Sequence, residues 1–256
     1  MLEALFAGAR ADAEHREKEY SLAAVRDLAL EARSVRNLTT LQPENQILVI
    51  GEIKRRSPSR GLIGEISDPE SLARAYERGG VSAISVLTEE RRFGGSLSDL
   101  RKVSGEVNVP VLRKDFLDSE FQIVESRANG ADLVLLILAG LPDSLARDLL
   151  EIVRFWGMEA LVETHSQEEV ERAVDMDAKI IGINARDLRT FELDKNLFGS
   201  LQHLVPEGRL KVAESAVEDF QDVRRYRRDG AHAVLVGEAL ITGSDPEETI
   251  RKFRQT

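Results

Sequence analysis

Apolar residues gather in eight short runs: ILVIGEI from Ile47, SAISVL from Ser82, VPVLR from Val109, DLVLLIL from Asp132, MEALV from Met158, KIIGIN from Lys179, RLKVA from Arg209 and HAVLV from His232. The runs are continuous rather than alternating, the pattern of strands buried on both faces of a parallel sheet. Between them the spacing is helical. Asp68-Pro69-Glu70 sets a capping side chain ahead of a first-turn proline, with Leu72, Ala75 and Tyr76 following on one face. The same device is read at Leu141-Pro142-Asp143 and Ser244-Asp245-Pro246, and Gly79-Gly80, Gly130, Gly157 and Gly230 each stand where a helix should end before the next strand. Eight β-then-α units in series predict a closed (β/α)8 barrel. A doubly wound open sheet shares the alternation, but the count favours closure.

Residues 1–45 precede the first strand and form an N-terminal helical extension, with the barrel over 46–256 and the whole chain, 1–256, as one domain. Two amphipathic helices are expected in the extension, one presenting Leu2, Leu5, Phe6 and Ala9 and one after Ser21 presenting Leu22, Val25 and Leu28. They are expected to pack on the barrel as a cap, and part of the segment could also cover the mouth of the barrel.

Composition sharpens this picture. A chain of 256 residues with 42% hydrophobic side chains is long enough for one sizeable core. Lys and Arg number 35 against 45 Asp and Glu, a net charge of −10 with no dense basic block, which argues against nucleic acid as a partner. The absence of cysteine excludes disulfides, thiolate metal sites and a thiol nucleophile, and fits a reducing cytoplasm. The N-terminus lacks the pattern of a secretory signal, and the longest apolar run, Leu133 to Leu138, is far short of the roughly 20 residues needed to cross a bilayer, so no membrane association is expected.

Barrels of this kind carry their chemistry at the carboxyl ends of the strands. Those ends hold Glu52, Lys54 and Ser57, then Lys114 and Asp115, Glu163, Asn184 and Arg186, Glu214 and Ser215, and finally Gly237. Period-two alternation puts Glu52 and Lys54 on one face. Ionisable groups at the ends of apolar strands are costly to bury unless paired, and opposite charges converging on one rim shift each other's pKa toward useful values. Taken singly, each residue is as well read as part of a structural ion pair; together they point to acid-base chemistry on a small molecule. AESAV at 213–217 and VGEAL at 236–240 fall where this architecture builds phosphate sites, and Arg186 and Lys54 supply positive charge. The four histidines show no metal-ligand spacing, so no metal is expected. Phe93 and Phe116 lie in rim segments where a flat substrate could stack.

The segments EIKRRSPSRG from Glu52, SVLTEERRFGGS from Ser85, PVLRKDF from Pro110, ALVETH from Ala160, GINARDL from Gly182 and VAESAV from Val212 resemble, in the same order, the signature stretches of indole-3-glycerol phosphate synthases. The resemblance, which runs from about Ile47 to Ala239, implies the conversion of 1-(2-carboxyphenylamino)-1-deoxyribulose 5-phosphate to indole-3-glycerol phosphate, a carboxy-lyase step of tryptophan biosynthesis. It implies no cofactor. It casts Lys114 as general acid and Glu163 as its acid-base partner or as stabiliser of the anilino nitrogen. Lys54 and Glu52 would serve later proton transfers, while Asn184 and Glu214 would orient the substrate and the catalytic pair. Ser57, Arg186, Ser215, Gly237 and Glu238 would bind the phosphorylated chain, and Phe93, Phe116, Leu135 and Leu188 would sandwich the aromatic ring.

One departure stands out: Ala216 replaces a glycine usual in the family after the Glu-Ser of the seventh strand. If that position needs a positive φ, alanine is strained there. No second, fused barrel is expected after Thr256. Two other readings remain at this stage: a phosphoribosylanthranilate isomerase, for which the resemblance would require a cysteine base that the chain lacks, and a non-catalytic phosphosugar-binding barrel. Association with other tryptophan-pathway enzymes stays open.

Overall fold

The computed structural model describes residues 1–41 and 46–256, so the boundary expected at residue 45 lies outside the described residues. Eight parallel strands close into a barrel: β1 (Leu48–Ile53), β2 (Ala83–Leu87), β3 (Val111–Lys114), β4 (Leu133–Ile137), β5 (Glu159–Thr164), β6 (Ile180–Asn184), β7 (Leu210–Glu214) and β8 (Ala233–Val236), with β8 returning to pair with β1. Each coincides with one of the eight apolar runs. Nearly every strand residue is buried, as a sheet covered on both sides demands. Closure rather than an open sheet is thus established.

Of the three helix starts read from a proline device, two follow the capping chemistry. Asp68 accepts from Ser71 N at 2.9 Å, and Asp245 accepts from Glu248 N at 3.0 Å. At Leu141-Pro142-Asp143, by contrast, Pro142 itself occupies the cap, no side chain accepts a bond there, and the helix opens at Asp143. Leucine has no oxygen to offer. Serines at 96, 119 and 166 cap three further helices.

The N-terminal segment runs the height of the barrel. Helix α1 (Leu2–Glu19) buries Leu2, Leu5, Phe6, Ala9 and Ala13, and Phe6 meets Phe116, just past the carboxyl end of β3, with ring centroids 5.5 Å apart at 74°. Helix α2 (Leu22–Glu31) packs against the helix Glu120–Ala128 through Val25 and Ala29, while Leu28 is 53% exposed. Leu28 was expected on the inner face. At 100° per residue, Leu22, Val25 and Ala29 lie within one narrow stripe and Leu28 falls outside it, and the small Ala29 lets the helices approach.

Beyond α2 the chain reaches the amino ends of the strands. Asp132, fully buried just before β4, accepts from Arg33 Nη1 at 2.9 Å, Arg36 N at 2.9 Å and Val111 N at 2.8 Å. Leu38 N donates to Glu159 at the start of β5, at 2.6 Å. The segment is therefore pinned at both ends of the barrel.

Candidate active site

At the carboxyl ends of the strands lies a cavity of about 410 Å³. Lys114 is its centre: Nζ sits 3.2 Å from Glu163 Oε2 and 3.6 Å from Glu214 Oε2, with both carboxylates buried. The ladder sets this convergence, because β5 pairs Glu163 with Gly182 of β6, and β6 pairs Asn184 with Glu214 of β7. Glycine is required at 182, where an added Cβ would stand 2.1 Å from Glu214 Oε1. Gly237 makes similar room for Glu52, whose Oε1 a Cβ would approach to 2.7 Å. Glu52 in turn accepts from Lys54 Nζ at 2.5 Å, as their shared strand face predicts.

The charges decide each other's protonation. Burial alone would lower the Lys114 pKa, but Glu163, Glu214 and Glu52 together raise it well above the ordinary lysine value. Burial would likewise raise the Glu163 carboxyl, yet Lys114, His165 and Glu214 hold it below the usual range. Glu214 goes the other way, raised by burial first and then by the neighbouring Glu163 charge. Neither Glu214 oxygen has a protein hydrogen-bond partner. The floor thus favours the charged form of Lys114 and of Glu163 and disfavours a second negative charge on Glu214.

A second group of residues, in the loops that follow the strands, continues the lining of the cavity. Ser215 and Ala216, directly after β7, have φ of 65° and 56°, both left-handed. The conditional concern about Ala216 is therefore met: the position needs the conformation glycine favours. Two contacts hold the turn. Ser215 Oγ donates to Asn184 Oδ1 at 2.7 Å, and Tyr226 OH donates to Ser215 O at 3.3 Å. Asn184 Oδ1 also accepts from Arg186 N at 3.0 Å, so one carboxamide ties the loops after β6 and β7 together. Glu238, beyond Gly237, pairs at 2.5 Å with Arg60 of the loop after β1.

The aromatic wall is formed by Phe93 and Phe116, whose centroids are 6.1 Å apart, with Leu135 and Leu188 also lining the cavity. Phe6 of α1 packs edge-on behind Phe116. Among the described residues none of the N-terminal segment lines the cavity, so α1 buttresses the wall rather than covering the mouth.

Ser57 and all the other strand-end residues named from sequence line this one cavity, including Lys54, Arg186 and Glu238. Asp115 lines it too, but its carboxylate is engaged by Thr88, the buried Arg113 and its neighbour's backbone, Phe116 N. Sequence reasoning missed Arg60, Phe191 and His165. The first two sit in loops with no strand-end pattern. His165 had a usable signal: two residues after Glu163, it lies on the same face of the chain as it leaves β5.

A family model described as Indole-3-glycerol phosphate synthase matches residues 2–253. The indole-3-glycerol phosphate synthase of Leifsonia xyli subsp. xyli is 52% identical over 255 residues, 99% of this chain and 98% of that protein. That of Arthrobacter sp. is 50% identical over 99% of this chain and 95% of its own. Among solved structures, the N-acetylmannosamine-6-phosphate 2-epimerase of Clostridium perfringens aligns with a TM-score of 0.61 at 14% identity, covering 86% of this chain and 96% of that one. The thiamine phosphate pyrophosphorylase of Pyrococcus furiosus aligns at 0.58 and 16%, covering 82% and 95%. These two likenesses show the barrel alone. Near-complete coverage at half identity shows more, and the chain belongs to the indole-3-glycerol phosphate synthase family.

Proposed function

We infer that this protein is a carboxy-lyase that closes, decarboxylates and dehydrates 1-(2-carboxyphenylamino)-1-deoxyribulose 5-phosphate to indole-3-glycerol phosphate. The observation that carries the assignment of roles is the Lys114 Nζ at the cavity floor, 3.2 Å from Glu163 Oε2 and 3.6 Å from Glu214 Oε2. As the carboxylate-bearing ring carbon attacks the ketone, negative charge grows on the ketone oxygen and positive charge on the anilino nitrogen. Lys114 donates its proton to that oxygen, and the Glu163 carboxylate stabilises the nitrogen. Loss of CO2 restores the aromatic ring, and the hydroxyl then leaves as water with a proton delivered by Lys54, while its partner Glu52 takes the proton of the adjacent ring methylene so that the indole double bond forms.

Asn184 has its oxygen occupied by Ser215 and Arg186, which leaves its NH2 to meet a substrate hydroxyl. Arg186, Ser215 and the backbone at Gly237 and Glu238 take the phosphate, with Ser57 closing the same end. The Glu238 carboxylate would repel that phosphate, and its pairing with Arg60 turns the charge aside. Phe93, Phe116, Leu135 and Leu188 hold the aromatic ring. The binding-only reading is disfavoured by a floor with so many costly buried charges.

We further place the protein in the cytoplasm, as a cysteine-free acidic chain without a nucleic-acid surface; among the described residues no helix is long and apolar enough to cross a membrane. Purified protein mixed with the substrate, with no added metal, is expected to generate the absorbance and fluorescence of an indole. No product at saturating substrate would overturn the assignment. In the same assay Lys114→Ala should lower kcat at least ~100-fold with KM little changed. Unaltered turnover would remove Lys114 from its role.

A further inference from the structure

His165 stands immediately after β5 and is unused by the chemistry above. Its Nε2 lies 3.3 Å from Glu163 Oε1, its Nδ1 lies 3.2 Å from Glu169 Oε2, and its side chain is 9% exposed. Glu169 is held in place locally: Ser166 caps the helix Gln167–Asp175, and Glu169, in its first turn, accepts the His165 backbone N–H at 2.7 Å. Glu163 Oε1 and His165 Nε2 are both buried without a hydrogen bond, and at 3.3 Å each is the other's ionic partner. An imidazole flanked on both ring nitrogens by carboxylates satisfies both only as the doubly protonated cation.

We propose that His165 is a positioning residue for the reaction inferred above, a standing imidazolium that keeps Glu163 a carboxylate after Lys114 has given up its proton. The inference rests on that reading of Lys114 and Glu163. When the Lys114 proton passes to the ketone oxygen, lysine becomes a neutral amine and the floor loses its central cation. Two buried glutamates would then share one site without a counter-charge, and Glu163 would take up a proton as the anilino nitrogen most needs an anion beside it. His165 prevents this from behind, out of the substrate's reach. The charged and titratable groups around it are Glu163 from β5, Glu169 from the following helix, Asp187 from the loop after β6, Glu214 from β7 and, through Glu163, Lys114 from β3. Carboxyl groups dominate that set. Burial pulls the imidazole down, but Glu163 and Glu169 outweigh it and bring the pKa up to about 10.

The test begins with the intact, unliganded enzyme, so it does not depend on turnover. Nitrogen-15 NMR of its histidines should show His165 with both ring nitrogens protonated throughout neutral pH, losing a proton only in alkaline solution. A neutral ring, or titration near the ordinary histidine value of about 6.5, would overturn the proposal. In turnover, His165→Gln removes the charge while keeping a hydrogen-bonding group. Without the cation the Glu163 pKa rises, so the acid limb of the kcat profile should move up by about one pH unit, a tenfold loss on that limb, with KM unchanged. A uniform fall in kcat with the limb unmoved would mark a merely structural role and reject the idea. A wild-type enzyme inactive on the substrate would instead reject the functional reading and leave the NMR result standing.

Discussion

Ser215 and Ala216 are held with φ of 65° and 56°, a conformation disfavoured for residues with a Cβ by roughly 1–2 kcal/mol each. The Asn184 and Tyr226 hydrogen bonds offset part of this and fix where the backbone faces the cavity. Ala216→Gly is therefore expected to stabilise the fold by about 0.5–1 kcal/mol, strain relief outweighing the greater freedom of glycine in the unfolded chain. Denaturant midpoints measure this, and a drop in midpoint would show that strain is not the controlling term. At this scale the sequence was most informative where position along a strand determines direction: Glu52, Lys54, Lys114, Glu163 and Glu214 all follow from strand ends. It was least informative for His165, whose meaning depends on Glu169, four residues on in a helix, and for Gly182, whose necessity appears only once the Glu214 carboxylate is in place.

Secondary-structure elements were legible through their period, but their partners were not. Leu22, Val25 and Leu28 read as a helical face just as Leu22, Val25 and Ala29 do, and only the helix Glu120–Ala128 chooses between them. Nothing local announces that Arg33 and Arg36 will meet Asp132, because nearly a hundred residues separate them. That contact closes the N-terminal segment onto the amino ends of the strands. Asp132→Ala would leave two guanidinium groups and Val111 N without their acceptor, and should destabilise the protein by about 3 kcal/mol, the lower end for breaking a buried pair because Arg33 reaches solvent. Since the cavity lies at the opposite end of the strands, kcat of the folded protein should stay near wild type. A large fall in kcat without loss of stability would contradict this division.

At the scale of the whole molecule, closure of eight parallel strands leaves the barrel sheet without an edge, and the N-terminal segment contacts it on one side from mouth to base. We accordingly propose that residues 1–256 form one cooperative unit, which calorimetry and near-ultraviolet circular dichroism would report as a single coincident transition. Separate melting of the N-terminal helices would refute it. The same strap constrains how the chain is made. Leu38 bonds to Glu159, 121 residues further on, so at synthesis rates of roughly 5–20 residues per second the docking site is completed roughly 6–24 s after Leu38 is added. Throughout that interval Leu2, Leu5 and Phe6 have no barrel to cover them. Helix α1 must wait for its seat with its apolar face uncovered, which makes the pace of translation and the reach of ribosome-associated chaperones part of how this barrel is brought to its native state.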